Sequence, residues 1–433
     1  MTSQKIIVFV DEINERLKFT FDVLFESKGI EIQLINDSVL FEQSSDVKLV
    51  YSDYPFSSVY PTISPSNLLF ENNIRNTVPK KATWNGEEVL LFDKKADIIA
   101  SAFYILSLYH EYGNVKKDHH DRVIGAGNFL AINGWLRKLI IEEWAQLILN
   151  FINQKNSVQF EFQKLNFEIV PTFDIDHAYA YKYKSALHTM GSKMKDLMRL
   201  DQERLKERKQ VLQGLIKDPY DTYDQIKIIK EKGFKVILFW LLGNYSEYDR
   251  NLSWTNSFQK RLIRSLAIDM EIGLHPSYGS NQMLGILADE KQRLETILDQ
   301  KVFKSRQHFL KLNIQSTYST LLQNGFTDDY SLVYHDLPGF RAGIARPFPW
   351  FDLNKNKISA LTLHPVTYMD ATYKNYLKMS VEEAKADLQV LAKEIKKYGG
   401  NLIAIWHNES IGDYRDWKGW ANLLDFTLAL NKN

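Results

Sequence analysis

The sequence predicts an α/β fold in which a smaller N-terminal α/β domain, residues 1–160, precedes a (β/α) barrel, residues 161–433. Beyond residue 160, apolar strand-like runs alternate with helical stretches of about 10–15 residues, a pattern typical of a parallel sheet. Six or seven such strands end in single polar residues. These polar residues come from at least five strands, which favours a barrel over an open sheet with a single switch point.

The composition of the 433-residue chain excludes several classes of protein. Its 54 basic and 53 acidic residues leave a net charge of +1, which argues against a nucleic-acid partner. The absence of cysteine excludes disulfides and thiolate metal sites, so any metal must be bound by His, Asp or Glu. Asp11 and Glu12 come too soon for a signal peptide, and no uncharged run approaches membrane-spanning length. We therefore expect a cytoplasmic protein without a membrane span.

The first part of the chain has the pattern of a small α/β unit. Residues 6–10 form an expected strand, and the apolar spacing between Asp11 and Lys28 predicts a helix that ends at Gly29. Further strands are expected at residues 30–35 and 48–51. Asn85-Gly86 predicts a hairpin turn, since these residues tolerate positive φ angles.

Two longer helices, at residues 97–112 and 133–153, complete the predicted N-terminal domain. Between them, Asp118-His119-His120-Asp121 combines metal-ligand types, but adjacent residues in a polar loop seldom point at one centre. We favour a solvated loop or a domain-contact loop there over a metal site. The polar residues 153–159 are the expected linker between the domains.

The predicted second domain contains a long charged helical segment at about residues 185–215, rich in Lys, Arg and Met. A solvated face is favoured for it over a lid or a contact with a polyanion. Helical stretches that alternate with strands follow at residues 257–269, 288–300, 316–325 and 381–397.

The polar residues at the strand ends have the chemistry of a metal-dependent hydrolase. The apolar run from Phe167 ends in Asp174 and Asp176, and we expect the strand to end at Asp174 and a turn to bring Asp176 into the same pocket. A carboxylate and neutral imidazoles suit a divalent ion such as zinc, while a second carboxylate can act as a base. His275 is the best imidazole candidate, and His308, at the end of the next strand, is the second.

Two further residues are candidates with stated alternatives. His407 ends the last strand and is placed to protonate a leaving group. Arg341 lies in a Gly-flanked turn, where it can approach a catalytic carboxylate or form a structural ion pair. A strand-end Asp is often only a helix cap, but two Asp and a His within four residues of an apolar strand favour a functional site.

In these residues the chain resembles the polysaccharide deacetylase superfamily, the carbohydrate esterases of family four. That family has a Thr-Phe-Asp-Asp motif, a His-Ser/Thr-x-x-His motif, an Arg-x-Pro-Tyr motif and a late Leu-x-Leu-His motif, on a distorted (β/α)7 barrel. The corresponding segments occur in the same order within residues 165–430: Thr172-Phe-Asp174-Ile-Asp176, Gly273-Leu-His275-Pro-Ser277, Gly339-Phe-Arg341-Ala-Gly343 and Ile403-Ala-Ile-Trp-His407-Asn408. More closely, the chain resembles a Bacteroidetes-type branch in which an extra N-terminal α/β domain precedes the barrel.

The resemblance implies a role for each matching residue. Asp174 would be the catalytic base, Asp176 and His275 metal ligands, Arg341 the group that orients the base, and His407 the general acid.

The sequence departs from the family motifs at three points. Ile175 separates the paired aspartates, Gly279 replaces the second histidine ligand, and the third motif continues as Ala-Gly after its arginine. We expect His308 to supply the missing third ligand, because it ends the adjacent strand and two protein ligands hold a catalytic metal poorly.

The expected function is therefore a hydrolase that uses a divalent metal, with zinc favoured, to remove an acetyl group from a sugar or polysaccharide. The alternative is a catalytically degraded barrel that binds a carbohydrate or a protein. The retention of Asp174, Asp176, His275, Arg341 and His407 together favours the enzyme, whereas the missing second histidine favours the binding module.

Overall fold

The computed structural model describes residues 4–76, 78–281, 283 and 285–432. It has a mixed α/β architecture, as the sequence predicts. No helix in the described residues is long and apolar enough to cross a membrane.

The N-terminal part begins with a small parallel sheet whose strand order is β2-β1-β3-β4. Its strands are short and rich in Ile, Val and Leu, and the central strand is buried from its second residue onward. The elements are β1 (Lys5–Val10), α1 (Glu15–Leu24), β2 (Glu31–Ile35), α2 (Ser38–Gln43), β3 (Val47–Tyr51) and β4 (Thr62–Ile63).

An antiparallel sheet of three short strands follows within the described residues. Asn85 and Gly86 join its first two strands with φ angles of 48° and 90°, the turn that their sequence predicts. The expected helix at 133–153 begins later, because Gly134, with a φ of 73°, lies in a turn. The elements are β5 (Lys80–Trp84), β6 (Glu87–Phe92), β7 (Lys95–Ala96), α3 (Ile98–Leu106), α4 (Phe129–Ile132) and α5 (Ile140–Asn156).

The rest of the chain forms a larger sheet surrounded by helices. Its strands are β8 (Phe167–Ile175), β9 (Ile237–Leu241), β10 (Glu271–His275), β11 (Lys304–Ser305), β12 (Asp328–Asp329), β13 (Phe348–Asp352), β14 (Lys357–Leu363), β15 (Tyr368–Met369) and β16 (Gly400–His407). Its helices are α6 (Ala186–Met198), α7 (Gln202–Leu212), α8 (Tyr223–Glu231), α9 (Ser257–Leu266), α10 (Ile286–Leu298), α11 (Thr317–Gln323), α12 (Val381–Tyr398) and α13 (Ala421–Ala429).

The helices of this part begin and end where local chemistry allows. The longest described helix, α12, starts at a capping box in which the Ser380 and Glu383 side chains each accept a hydrogen bond from the other residue's backbone N–H. It stops before Gly399, whose φ of 82° suits glycine and turns the chain directly into β16.

Nine strands of the described chain form the large sheet, in the order β13-β14-β12-β11-β10-β9-β8-β16-β15. All neighbouring pairs are parallel except β13 with β14. The central strand β8 is buried from Ile169 onward, as expected for a parallel strand covered on both faces.

The large sheet is strongly curled. Strands β14 and β15 are seven strand spacings apart, about 34 Å in a flat sheet. Leu363 and Tyr368, at their facing ends, are only five peptide units apart, which span at most about 19 Å. The segment between them bonds to both sides, since Val366 N donates to Leu332 O at 3.1 Å and Thr367 N donates to Ile403 O at 2.8 Å. The carboxyl ends of the parallel strands therefore surround a shared space.

The N-terminal part packs against the large sheet through a continuous apolar core. Phe351 of β13 contacts Phe19 and Phe103, with ring centroids 5.2 and 5.1 Å apart. Aromatic pairs of this kind contribute about 0.5–1.5 kcal/mol beyond the apolar area they bury. Residues before 160 therefore help to hold the sheet that carries the strand-end residues.

Candidate active site

The side chains of Asp174, near the end of β8, and Asp176, just beyond it, both approach Nε2 of His275. The expectation that the strand ends at Asp174 is wrong, because β8 continues to Ile175 and pairs there with β9. Side chains alternate between the faces of a strand, so residues two apart project in the same direction. Asp174 also pairs in register with His407 of β16, which brings the last strand to the same place.

His275 and His308 meet because the chain after β11 continues alongside β10. Arg306 N donates to Leu274 O at 3.1 Å, and His308 N donates to Pro276 O at 3.2 Å. The regular strand is only two residues long, but these bonds keep its extension in register. The two imidazole rings lie 5.0 Å apart, centroid to centroid.

Asp176, His275 and His308 form a cluster that could hold a metal ion. Each offers one ligand atom, and these atoms all lie within 4.8 Å of one another. Nε2 of His275 is 3.2 Å from Oδ1 of Asp176, and Nε2 of His308 is 3.4 Å from Oδ2. The three residues predicted as ligands thus come together from three separate segments of the chain.

The outer nitrogen of each imidazole is held by an acceptor. Nδ1 of His275 donates to the carbonyl of Arg306 at 2.6 Å, and Nδ1 of His308 donates to Oδ1 of Asp249 at 2.9 Å. Such bonds fix the ring orientation and direct Nε2 toward the cluster, as is common for metal-bound histidines.

The contact between His275 and Asp176 fits a cation. Since a carbonyl can only accept, Nδ1 of His275 carries a proton, and in the tautomer that binds metals Nε2 directs its lone pair at the carboxylate. Oδ1 of Asp176 is buried and has no hydrogen-bond partner among the described residues. Two facing acceptors 3.2 Å apart repel unless positive charge lies between them. The donor set suits a divalent ion such as zinc.

The carboxylate of the cluster is strongly biased toward its ionised form. Burial acts to raise the pKa of Asp176, but the positive charge of His308 and the close contacts of the two imidazoles lower it well below the usual value. Burial likewise acts to lower the pKa of His308, and Asp176 and Asp249 raise it to about 9. Asp176 is therefore ionised throughout the neutral range.

Asp174 is held by Arg306. Nη1 of Arg306 donates to Oδ1 of Asp174 at 2.8 Å, and both side chains are buried. The Arg306 guanidinium is fixed further by a bond from Nε to Tyr330 O and by its position 4.4 Å from the Phe239 ring centroid. Oδ2 of Asp174 lies 3.8 Å from Nε2 of His275, so it faces the cluster.

The expectation that Arg341 orients Asp174 is corrected by the structure. Arg341 binds Glu111 through two bonds, from Nε at 2.9 Å and from Nη2 at 2.6 Å, and its Nη1 donates to Val333 O. Three of its five N–H donors are used in this way, and among the described residues Arg341 forms no ion pair with Asp174, which binds Arg306 instead. Arg341 instead joins the N-terminal part of the chain to the large sheet, which is the structural ion pair considered from the sequence.

His407 is paired with Asp370. Its Nδ1 donates to Oδ1 of Asp370 at 2.9 Å, and its backbone N donates to Oδ2 at the same distance. Burial acts to lower the pKa of His407, but the charge of Asp370, its hydrogen bond and the nearby Asp176 raise it well above the usual value. His407 is therefore an imidazolium, with Nε2 3.9 Å from Oδ2 of Asp176.

Three supporting residues were missed from the sequence: Arg306, Asp249 and Asp370. Arg306 and Asp370 had a usable signal, because each follows a short strand of the parallel sheet. Asp249 lies in the irregular loop between β9 and α9, where residue spacing does not predict which way a side chain points.

The loop that contains Asp118 and His120 contacts the rim of the site. His120 packs among aromatic rings, with the Phe309 centroid 5.0 Å and the Tyr278 centroid 5.6 Å away. Arg122 is held by Asp118 and donates to the carbonyl of Phe309 at 2.8 Å. The loop thus holds Phe309, the residue that follows His308, and acts as a contact between the N-terminal part of the chain and the large sheet.

Glu290 of α10 binds the backbone two residues after His275 and should make the stability of the protein depend on pH. It accepts a bond from Ser277 N at 2.9 Å, and burial raises its pKa to about 7. The folded protein therefore keeps a proton on Glu290 that the unfolded chain loses above about pH 4.5. The contribution of Glu290 to the free energy of unfolding is thus present below that pH and is lost as the pH rises through about 7. The expected loss is about 3 kcal/mol.

The Glu290→Gln variant tests this expectation. Urea unfolding at pH 5 and pH 8 should show a smaller fall in the free energy of unfolding for the variant than for the wild type, because glutamine does not titrate. Equal pH dependence in both proteins would contradict the assignment.

Comparison with known families matches the N-terminal part of the chain. A family model described as "Family of unknown function (DUF7033)" matches residues 6–157, less than half of the chain. A search of curated proteins finds no match.

Solved structures similar to this chain are deacetylase-type proteins. A protein from Mycobacterium smegmatis described as a polysaccharide deacetylase is 15% identical, with a TM-score of 0.41, covering 63% of this chain and 87% of that one. The polysaccharide deacetylase Bc1974 from Bacillus cereus is 10% identical, with a TM-score of 0.31 and coverage of 62% and 88%. A mutant CE4 family pseudoenzyme with restored enzymatic activity is 11% identical, with a TM-score of 0.28 and coverage of 62% and 63%. Because these TM-scores lie below 0.5, a function for this chain depends on its own side chains.

Proposed function

We propose that this protein is a metal-dependent hydrolase that removes an acetyl group from a carbohydrate. The observation that carries the proposal is the convergence of Asp176, His275 and His308, with Nε2 of His275 facing Oδ1 of Asp176 at 3.2 Å. The carbohydrate as substrate rests on the motif resemblance of residues 165–430 to polysaccharide deacetylases. We also propose that the curled sheet completes a distorted (β/α)7 barrel and that residues 1–160 form a separate N-terminal domain.

The three ligands would hold zinc or a similar divalent ion. Three protein ligands leave a further position open, the arrangement typical of catalytic rather than structural zinc sites. A divalent ion held there would supply Lewis acidity that activates water and polarises the acetyl carbonyl group. Asp249 and the Arg306 carbonyl orient the imidazoles, so the ligand set is prepared before an ion arrives.

Asp174 is the proposed general base. Arg306 occupies Oδ1 and leaves Oδ2 free at the cluster, where it can accept a proton from the attacking water. The fixed geometry matters because a base must lie within hydrogen-bond reach of the proton that it removes.

His407 is the proposed general acid. It carries the proton that a departing amine or alkoxide needs, and Asp370 stabilises that protonated form. Asp174 and His407 are register neighbours on β8 and β16, so a base and an acid face the same space from adjacent strands.

Metal content tests the proposal directly. We expect purified protein to bind close to one divalent ion per chain, and His275→Ala and His308→Ala each to lower the bound metal strongly, measured by elemental analysis after metal reconstitution. His364→Ala is a matched control, because this strand-end histidine binds Asp328 at 2.7 Å, outside the cluster. Acetate release from amide-linked and ester-linked acetylated oligosaccharides then identifies the bond that is cleaved.

A result without metal would favour the second candidate. If reconstituted wild-type protein binds no divalent ion, the hydrolase proposal fails, and a binding module for a carbohydrate or a protein becomes the better account. The three departures from the family motifs, above all Gly279 in place of a histidine, are the observation that favours a binding module.

A further inference from the structure

A large cavity lies beside the candidate active site. Its volume is about 1090 Å³, and it opens between the helices α6 and α7 and the loops that follow β8 and β9. His177 and Arg250 form part of its wall, and they directly follow Asp176 and Asp249 in the chain. Nδ1 of His177 donates to the Arg250 carbonyl at 3.1 Å, so this wall is continuous with the site.

The cavity is strongly basic, although the whole chain has a net charge of only +1. Asp196 is its acidic lining residue, and two guanidinium groups share it, Arg208 in a buried ion pair and Arg204 at 3.5 Å. The cationic lining residues are Lys184, Lys195, Arg199, Arg204, Arg208 and Arg250.

Several of these cations lack a counter-charge. Among the described residues, no ion-pair partner contacts Lys184, Lys195 or Arg199. Burial, and then the charge of Arg208, lower the pKa of Lys184, and the charge of Asp218 acts against them. Like charges held together in this way raise the free energy of the folded state unless an anion joins them.

Aromatic side chains line the same cavity. Tyr183, Tyr220 and Trp254 are among the wall residues. Sugar rings pack their apolar faces on aromatic rings, and tyrosine hydroxyls and indole nitrogens supply hydrogen bonds at the edge. A solvated charged face needs neither the cavity nor these rings.

We propose that this cavity binds a saccharide that carries carboxylate or phosphate groups, as the anionic part of the substrate. The assignment of that ligand as substrate rests on the proposed hydrolase, whereas binding itself does not. The cations attract the anionic groups, the aromatic rings take the sugar, and the wall formed by His177 leads the chain of sugars toward Asp176.

Binding is tested by calorimetry on the full chain at 50 mM and 300 mM NaCl. The anionic probes are a galacturonate hexamer and glucose 1-phosphate, and the neutral probes are maltohexaose and glucose. We expect the anionic probes to bind more tightly than the neutral ones and to weaken as salt screens the charges. The more tightly bound of the two anionic probes distinguishes carboxylate from phosphate recognition.

A charge-neutralising variant tests whether the cavity is responsible. Lys195→Gln with Arg199→Gln should weaken the binding of the anionic probes by roughly 10-fold, because each substitution removes one cation that attracts the anionic groups of the probe. The matched control, Lys232→Gln with Lys393→Gln, removes two exposed lysines that do not line the cavity and should bind within about twofold of wild type.

Two results would overturn the inference: equal affinity for charged and neutral probes, or unchanged anionic binding in the cavity variant. Repeating the titration after EDTA treatment separates the two proposals. Anion binding that persists in protein that holds no metal supports the anionic-saccharide site even if the protein is not a hydrolase. Metal binding without anion binding supports the hydrolase and overturns the anionic-saccharide site.

Discussion

Replacing Arg341 with methionine should lower the free energy of unfolding by about 3–5 kcal/mol, because it leaves the Glu111 carboxylate buried without a counter-charge. Both side chains are almost wholly buried, and their two bonds measure 2.6 and 2.9 Å. Burial acts to raise the pKa of Glu111, and the Arg341 charge and bonds lower it below its usual value. Urea or thermal unfolding measures the loss.

A double variant separates the unpaired charge from lost packing. Arg341→Met combined with Glu111→Gln removes both charges, so it should be more stable than Arg341→Met alone. In the double variant the metal content should match that of the wild type, since neither residue touches the cluster. A stable Arg341→Met protein that had lost only turnover would contradict the structural role.

Asp174→Asn should lower kcat by about 10²–10⁴-fold, the range expected when a general base is removed. Asparagine keeps an oxygen that can accept the Arg306 bond of 2.8 Å, but its amide cannot take a proton. Bound metal should stay near the wild-type amount, because Asp174 is not one of the three clustered ligands.

The control for Asp174→Asn is the same substitution at Asp328, a strand-end carboxylate that binds His364 away from the cluster. Asp328→Asn should retain most of the wild-type kcat. A loss of metal in Asp174→Asn would show that this residue acts as a ligand, and retained turnover would exclude it as the base.

Local patterns in the sequence were sufficient to predict most strands of the large sheet and most helices around it. The alternation of apolar runs and helical spacing depends on neighbouring residues, so β8, β10 and β16 were found close to their observed ends. The strand expected before His308 is only two residues long, as is β12, and the pairing of both strands depends on the curl of the whole sheet.

The partners of the site residues were harder to predict than the site residues themselves. Asp176, His275 and His308 follow strands whose carboxyl ends must share one edge. Which arginine reaches Asp174 depends instead on three-dimensional packing. Arg341 fits the motif order, but Glu111 from the N-terminal part binds it, and Arg306 of the neighbouring strand extension takes the place beside Asp174.

The pairing of β8 with β16 has a consequence during synthesis of the protein. Asp174 and its register partner His407 are separated by more than 230 residues, so a ribosome exposes one edge of β8 long before the strand that covers it emerges. Unpaired strand edges are templates for wrong association. The nascent chain therefore carries an uncovered strand edge beside the residues of the candidate active site until residues 400–407 emerge and pair with it.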